Sequence, residues 1–164
     1  MASKKASPSE AKPGGPHIQP IAKNRRATFD YLILSKVECG IVLLGTEVKS
    51  LRAGQAQLSD SYALGQHGEL YLFNAQIPHY APAGPLQNHE PKRTRKLLLK
   101  KREIEKLYEQ QQKAGHALVP LALYFKDGKV KLELAVAKGK DKGDKRESIA
   151  EREADREMDR AKRR

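Results

Sequence analysis

The sequence predicts a mainly β fold: a small antiparallel barrel with embedded helices and a disordered, helix-prone C-terminal tail. Three observations lead there. Large apolar residues concentrate between positions 21 and 137, in short runs rich in β-branched, leucine and aromatic side chains. The clearest two runs, LVPLALYF and KVKLELAVA, flank Lys126-Asp127-Gly128-Lys129, and Asp-Gly between strand-like runs is a strong hairpin signal. Both ends of the chain are poor in packing groups. Residues 1–20 hold Pro8, Pro13, Pro16, Pro20, Gly14 and Gly15, and residues 138–164 have only Ile149 and Met158 as large apolar groups.

Composition thus divides the chain into a disordered extension over 1–20, a folded barrel over 21–137 and a charged tail over 138–164. In order, residues 29–37 and 41–45 read as strands about a turn at Glu38-Cys39-Gly40. Residues 46–54 read as a short helix, with Thr46 as N-cap and Gly54 just past its end. Residues 58–64 and 69–77 read as strands around Gln66-His67-Gly68. Residues 101–114 are strong helix formers, with Ile104, Leu107 and Tyr108 on one face and Gly115 as the stop. In the final strand Val130, Leu132, Leu134 and Val136 alternate with Lys131, Glu133 and alanines, so one face is buried and the other meets solvent. The tail offers Glu153–Arg156, Glu157–Arg160 and Asp159–Arg163 as helical ion pairs. Its apolar stripe of Ala150, Ala154, Met158 and Ala161 is thin. The tail should therefore be disordered alone and fold inside a polyanionic channel. Closing several short strands into a barrel removes their edges, and a barrel of the OB type presents a curved face and loops suited to nucleic acid.

Charge supports that ligand class. Among 164 residues, 32 are Lys or Arg and 20 are Asp or Glu, a net charge of +12 that points to a polyanionic partner. The barrel region contributes +7 of it. No stretch approaches the ~18 consecutive apolar residues of a membrane-spanning helix. The N-terminus has no apolar signal core, so a cytoplasmic protein is expected. Cys39 is the single cysteine, which excludes an internal disulfide and a Cys-rich metal site.

The residues offer little for catalysis. His17, His67, His79, His89 and His116 show no metal-binding spacing, and no phosphate-binding loop precedes Gly139-Lys140. Asp30, Glu47 and Asp60 are available as carboxylates for a metal nuclease but read better as turn and cap residues. Ser59, Ser61 and His79 lack the strand–turn–helix elbow of a hydrolase. No catalytic residue, metal or cofactor is expected.

Basic clusters are more informative. Residues 92–102, KRTRKLLLKKR, hold seven basic residues and no acid. Such like charges repel unless phosphates or counterions lie nearby. Lys23, Arg25 and Arg26 precede the first strand, and Lys49 and Arg52 share a helix face. Phe29, Tyr62 and Tyr80 stand at loop edges beside these clusters, where unpaired bases could stack.

IAKNRRATFDY, ECGIVLLGTEVKSLRAG, LSDSY, GELYLFNAQI, NHEPKRTRKLLL, LVPLALYF and AKGKDKGDKR occur in this order. Together they resemble the small protein B family, the bacterial SsrA-binding proteins, over about residues 21–146. The resemblance implies a closed OB-like barrel that binds the tRNA-like domain of transfer-messenger RNA. It implies delivery of that RNA to stalled ribosomes, where the tail becomes a helix in the empty message channel beyond the decoding site. No chemistry by the protein is implied. Carried over by position, Asn24, Arg25 and Phe29 fall in the family's first RNA-contacting segment. Glu38, Lys49, Arg52 and Tyr62 fall where the RNA is held. Asn88, His89, Arg93, Arg95 and Lys96 match its basic loop, and Gly139, Lys140, Asp144, Lys145 and Arg146 match the start of the functional tail. Three positions depart from the pattern: Gly143 stands where a ring is frequent, Asp141 replaces a usual Lys, and Lys100 a usual His or polar residue. A monomer is expected. The competing classes are a structural ribosomal protein and a metal-dependent nuclease using Asp30 or Asp60.

Overall fold

The computed structural model describes residues 15–163. Seven strands and four α-helices alternate along them: β1 (Ile18–Lys23), α1 (Arg25–Asp30), β2 (Tyr31–Ile41), α2 (Gly45–Arg52), β3 (Tyr62–Gln66), β4 (Glu69–Phe73), β5 (Arg95–Leu98), α3 (Lys101–Gln112), β6 (His116–Lys126), β7 (Lys129–Gly139) and α4 (Lys142–Lys162). All strand pairs are antiparallel. The order β1-β6-β3-β4-β5-β2-β7 returns on itself because β6 also pairs with β7. Six strands form the ring expected of the barrel, with β1 hung outside on β6. The β3–β6 seam is the narrowest, pairing only Ala63 with Leu118.

Two long hairpin strands carry most of the sheet. The β6–β7 register runs from His116↔Lys138 to Lys126↔Lys129, closed by Asp127 and Gly128 at φ 50° and 79°. Two successive positive φ values make this a type I′ turn, whose twist suits a two-residue hairpin. His67 and Gly68, at φ 52° and 74°, close β3–β4 in the same way. Pro120 lies within β6, where it cannot donate to a ladder. The register slips between Pro120 and Ala122, and there β1 ends and α1 begins.

Inside the ring pack Leu51, Leu58, Leu70, Leu72, Ile77, Leu97, Leu118, Leu132, Leu134 and Val136. A second, smaller cluster of Ala27, Val119, Leu121, Ala135 and Ala137 lies under α1. It corrects one expectation: the alanine positions of β7 do not meet solvent. They are small because a helix covers them.

Other differences follow from pairing. Residues 38–40 are no turn. β2 runs through them because Gly40 pairs with both Lys131 of β7 and Leu98 of β5, joining two parts of the ring. A Cβ at Gly40 would stand 3.2 Å from the Leu98 Cβ. Residues 29 and 30 end α1 instead of starting a strand. The strand expected over 58–64 is displaced to β3, and the one expected over 69–77 contracts to β4. Regular structure extends beyond 21–137: β1, outside the ring, starts at Ile18, and β7 extends through Gly139. The reading of 1–20 as disordered falls, for residues 1–14, outside the described residues. Residues 142–162 form a continuous helix where a disordered segment was expected for the tail alone. Its first turns rest on α1 and so do not stand unaided.

Candidate nucleic-acid interface

Glu47 organises one end of the barrel. It is fully buried on α2, facing inward three residues after Leu44, whose backbone N–H donates to Glu47 Oε2 at 2.8 Å. Arg95 is equally buried and meets Glu47 Oε1 through Nε at 2.9 Å and Nη2 at 2.8 Å. The remaining Arg95 donors reach the carbonyls of Ala75 at 2.6 Å, Arg93 at 3.0 Å and Pro91 at 3.1 Å. Arg93 Nη2 takes the other Glu47 oxygen at 2.8 Å. Burial pushes the Glu47 carboxyl up, but the Arg93 hydrogen bond, the Leu44 N–H and Arg95 outweigh it and hold the group below its ordinary value. Burial lowers the Arg95 guanidinium, opposed by Glu47.

This ion-pair cluster anchors the connection between β4 and β5, residues 74–94. His89 is buried, with Nδ1 2.8 Å from Thr46 Oγ1, while Nε2 donates to Ile77 O at 2.8 Å. Thr46 is therefore a tether on α2 and not its N-cap. Asn88 Nδ2 donates to the carbonyls of Tyr80 and Gly84 at 2.9 Å each, and its Oδ1 accepts from Tyr80 N–H at 2.9 Å. Ser50 Oγ donates to Pro78 O at 2.8 Å. On the outside of this braced loop, Lys49 lies over the Tyr80 ring at 5.5 Å, and Arg52 is exposed.

A second group forms around α1. Asn24 is buried as its N-cap: Oδ1 accepts from Ala27 N–H at 3.1 Å, and Nδ2 donates to Pro120 O at 2.9 Å and Leu58 O at 3.1 Å. Arg25 is exposed, whereas Arg26 pairs with Asp30 at 3.2 Å and Asp60 at 3.5 Å. These three line a cleft of about 250 Å³ with Ser61 and Tyr62. Tyr62 is exposed and stacks on Phe73 with ring centroids 5.5 Å apart. A smaller adjoining cleft shares Ser59 and Asp60 and reaches Lys92, so the 57–62 segment links α1 to the braced loop. Phe29 is half-buried, with the Arg152 guanidinium of α4 5.2 Å from its centroid.

Glu38 lies apart from both groups, on the outer surface of β2. It accepts from the Tyr124 hydroxyl and pairs with Lys126 at 3.1 Å. These bonds, Tyr124 first, lower its carboxyl. Both partners are more than 80 residues away in sequence, which left no local signal for them. Lys96 pairs with Glu69 across β4–β5 at 3.3 Å.

The expected RNA contacts therefore divide. Arg25, Phe29, Lys49, Arg52 and Tyr62 present charge or ring surface, and Lys96 and Glu38 do so from within ion pairs. Asn24, His89 and Arg95 are buried and make internal hydrogen bonds, as does half-buried Asn88, and Arg93 is largely so. The basic run 92–102 is not one charged surface. Strand alternation in β5 turns Arg95 and Leu97 inward, leaving Lys92, Lys100, Lys101 and Arg102 exposed without an ion pair among the described residues. Of the tail residues, Lys140 Nζ reaches Thr28 O at 3.3 Å and Lys145 pairs with Asp30 at 3.6 Å, while Gly139, Asp144 and Arg146 are exposed. Asp30 and Asp60 both face the Arg26 guanidinium, whose charge opposes a cation between them. Among the described residues no helix is long and apolar enough to cross a membrane.

Residues 21–164 match the SmpB protein family. An SsrA-binding protein of Thermobifida fusca is 56% identical over 144 residues, spanning 88% of this chain and 89% of that protein. One of Acidothermus cellulolyticus is 57% identical over 141 residues, 86% and 88% of the respective chains. A solved chain described with tmRNA-SmpB at the center of the bacterial ribosome superposes with a TM-score of 0.65 at 44% identity. The match covers 80% of this chain and 95% of that one.

Proposed function

The chain belongs to the SmpB protein family, and from that premise we propose that it is the RNA-binding adaptor of trans-translation. It binds the tRNA-like domain of transfer-messenger RNA, the SsrA RNA, and brings it to stalled ribosomes, so that they are rescued and the nascent chain is tagged for degradation. The observation that carries this reading is the set of exposed cations Arg25, Lys49, Arg52 and Lys92 together with the exposed Tyr62 ring and the half-buried Phe29 ring. Phosphates neutralised by these cations release counterions, and unpaired bases stack on the rings. Arg25, Phe29, Lys49, Arg52, Tyr62, Lys96 and Glu38 meet RNA. Asn24, Asn88, His89, Arg93 and Arg95 hold the surface in shape. The protein works as a monomer in the cytoplasm, without catalysis or cofactor. Residues up to Gly139 form the RNA-binding unit. The segment from Lys140 onward, with Asp144, Lys145 and Arg146, serves the decoding site and message channel.

The test is to recover the RNA that copurifies with the full chain and to titrate a synthetic tRNA-like domain at several salt concentrations. Transfer-messenger RNA should dominate, with binding that weakens steeply as salt rises. Association with all ribosomes alike would favour a structural ribosomal protein, and Mg²⁺-dependent RNA cleavage a nuclease.

A further inference from the structure

The connection between β4 and β5 carries a tip that packs against nothing. Leu86 is 98% exposed, more than any other large apolar side chain among the described residues. Its loop is nevertheless stiff. Asn88 closes the base with three hydrogen bonds of 2.9 Å, to the Tyr80 N–H, Tyr80 O and Gly84 O. Inside that clamp Ala81–Ala83 make one 3₁₀ turn around Pro82, and Gly84 turns the chain at φ 74° just before Pro85. Two further bonds pin the loop to α2: Ser50 Oγ donates to Pro78 O, and His89 Nδ1 meets Thr46 Oγ1, each at 2.8 Å. An exposed leucine on a loose loop is ordinary. On a braced loop the ordering cost of presenting it is met before a partner arrives, which is how an anchor residue is held.

The surroundings select the partner. No charged residue occurs from His79 to His89, so the tip itself offers only apolar contact. Its flanks are cationic: Lys49 lies over the Tyr80 ring at 5.5 Å, Arg52 is exposed on the same helix, and exposed Lys92 follows the loop, together outnumbering Glu90. Cations around an apolar point fit RNA, whose phosphates meet the cations while the face of an unpaired base meets the point. We propose that Leu86 is a further RNA-binding residue, an apolar tip that covers the face of an unpaired base, and that Asn88 is its positioning residue. This inference rests on the RNA-binding reading above.

Titrating full-length variants with the synthetic tRNA-like domain tests it. Leu86→Ala should bind about five- to tenfold more weakly, the loss of one partly covered leucine. Its melting temperature and salt slope should stay those of wild type, because the side chain packs against nothing and meets no phosphate. Leu86→Phe should bind at least as tightly as wild type, since a ring covers a base well. A pocket shaped for leucine would reject it. Asn88→Ala should weaken binding by a similar factor. The double variant should lose little more than the worse single one, because a loosened loop no longer presents the tip. If wild type fails to bind the RNA, the RNA-binding reading falls and this inference with it. If wild type binds and Leu86→Ala binds equally well or better, only the inference falls. Normal RNA binding by Leu86→Ala with poor tagging on stalled ribosomes would likewise overturn it and assign the tip to another partner. Leu86→Phe binding as weakly as Leu86→Ala, or full additivity of the two single losses, would overturn it too.

Discussion

Glu47 shows how much one buried residue can decide. Two guanidiniums depend on one carboxylate, and removing one partner of such a buried group costs about 3–5 kcal/mol because the rest is left uncompensated. Glu47→Gln should lose stability of that order in urea unfolding, as should Arg95→Ala, whereas exposed Arg52→Ala should stay within about 0.5 kcal/mol. The pH dependence has a definite sign. The Glu47 carboxyl is held below its ordinary 4.5 in the folded state. Its stabilisation is therefore present above that pH and lost as pH falls through the folded pKa. Wild type should lose stability on acidification more than Glu47→Gln does. Cys39 offers a separate check. Burial raises its thiol to about 12, with its Sγ 3.3 Å from Leu132 O. A thiol reagent at pH 8 should label it slowly in native protein and quickly in denaturant.

Elements differ in whether they carry charge or shape. α1 and α2 present Arg25, Lys49 and Arg52. Replacing any of these cations with Ala should lower the log–log salt slope by roughly 0.7–0.9 for every phosphate it neutralises. Phe29→Ala should instead weaken RNA binding by about 1–3 kcal/mol with the slope unchanged. A titration series separates the two. A Phe29→Ala protein that melts early but binds normally would make the ring a packing residue. In β5, Arg95→Ala should act through stability, and a shallower slope at unchanged stability would contradict its burial. α4 is a different kind of element. Its exposed Ala154 tolerates a side-chain change, but proline there breaks the helix interior at about 3 kcal/mol. Ala154→Pro should leave RNA binding intact and impair tagging in an in vitro assay on ribosomes stalled at a message end.

At the scale of the molecule, the ring and the tail are separable. The two hydrophobic clusters contain no residue of α4, so ending the chain after Lys140 should leave a folded protein that retains RNA binding. The same truncation should abolish tagging on stalled ribosomes. Full tagging without α4 would leave the tail as a solubilising segment. The closed ring also explains why a chain with 32% charged residues folds at all. Much of its core is drawn from alternate strand positions, which leaves the other positions free for charge.

Much of this was legible in the chain itself. The Asp-Gly hairpin, the helix stopped at Gly115 and the alternation of Val130 to Val136 are local patterns, and local geometry enforces them. The family motifs lie in contiguous stretches, so the function could be read from them as well. Other features depend on partners distant in sequence. Glu38-Cys39-Gly40 has the composition of a turn, yet pairing with β7 and β5 makes it strand. Arg93 and Arg95 resemble phosphate ligands until Glu47, 46 and 48 residues earlier, claims them. Phe29 resembles a free ring until α4 folds back upon it. Sequence by itself determined the class, the barrel and the kind of ligand, because periodicity, turn chemistry and net charge are properties of neighbouring residues. Which cations face solvent, and which side chains only hold others in place, was decided by tertiary structure, since burial and ion pairing exist only once remote segments meet.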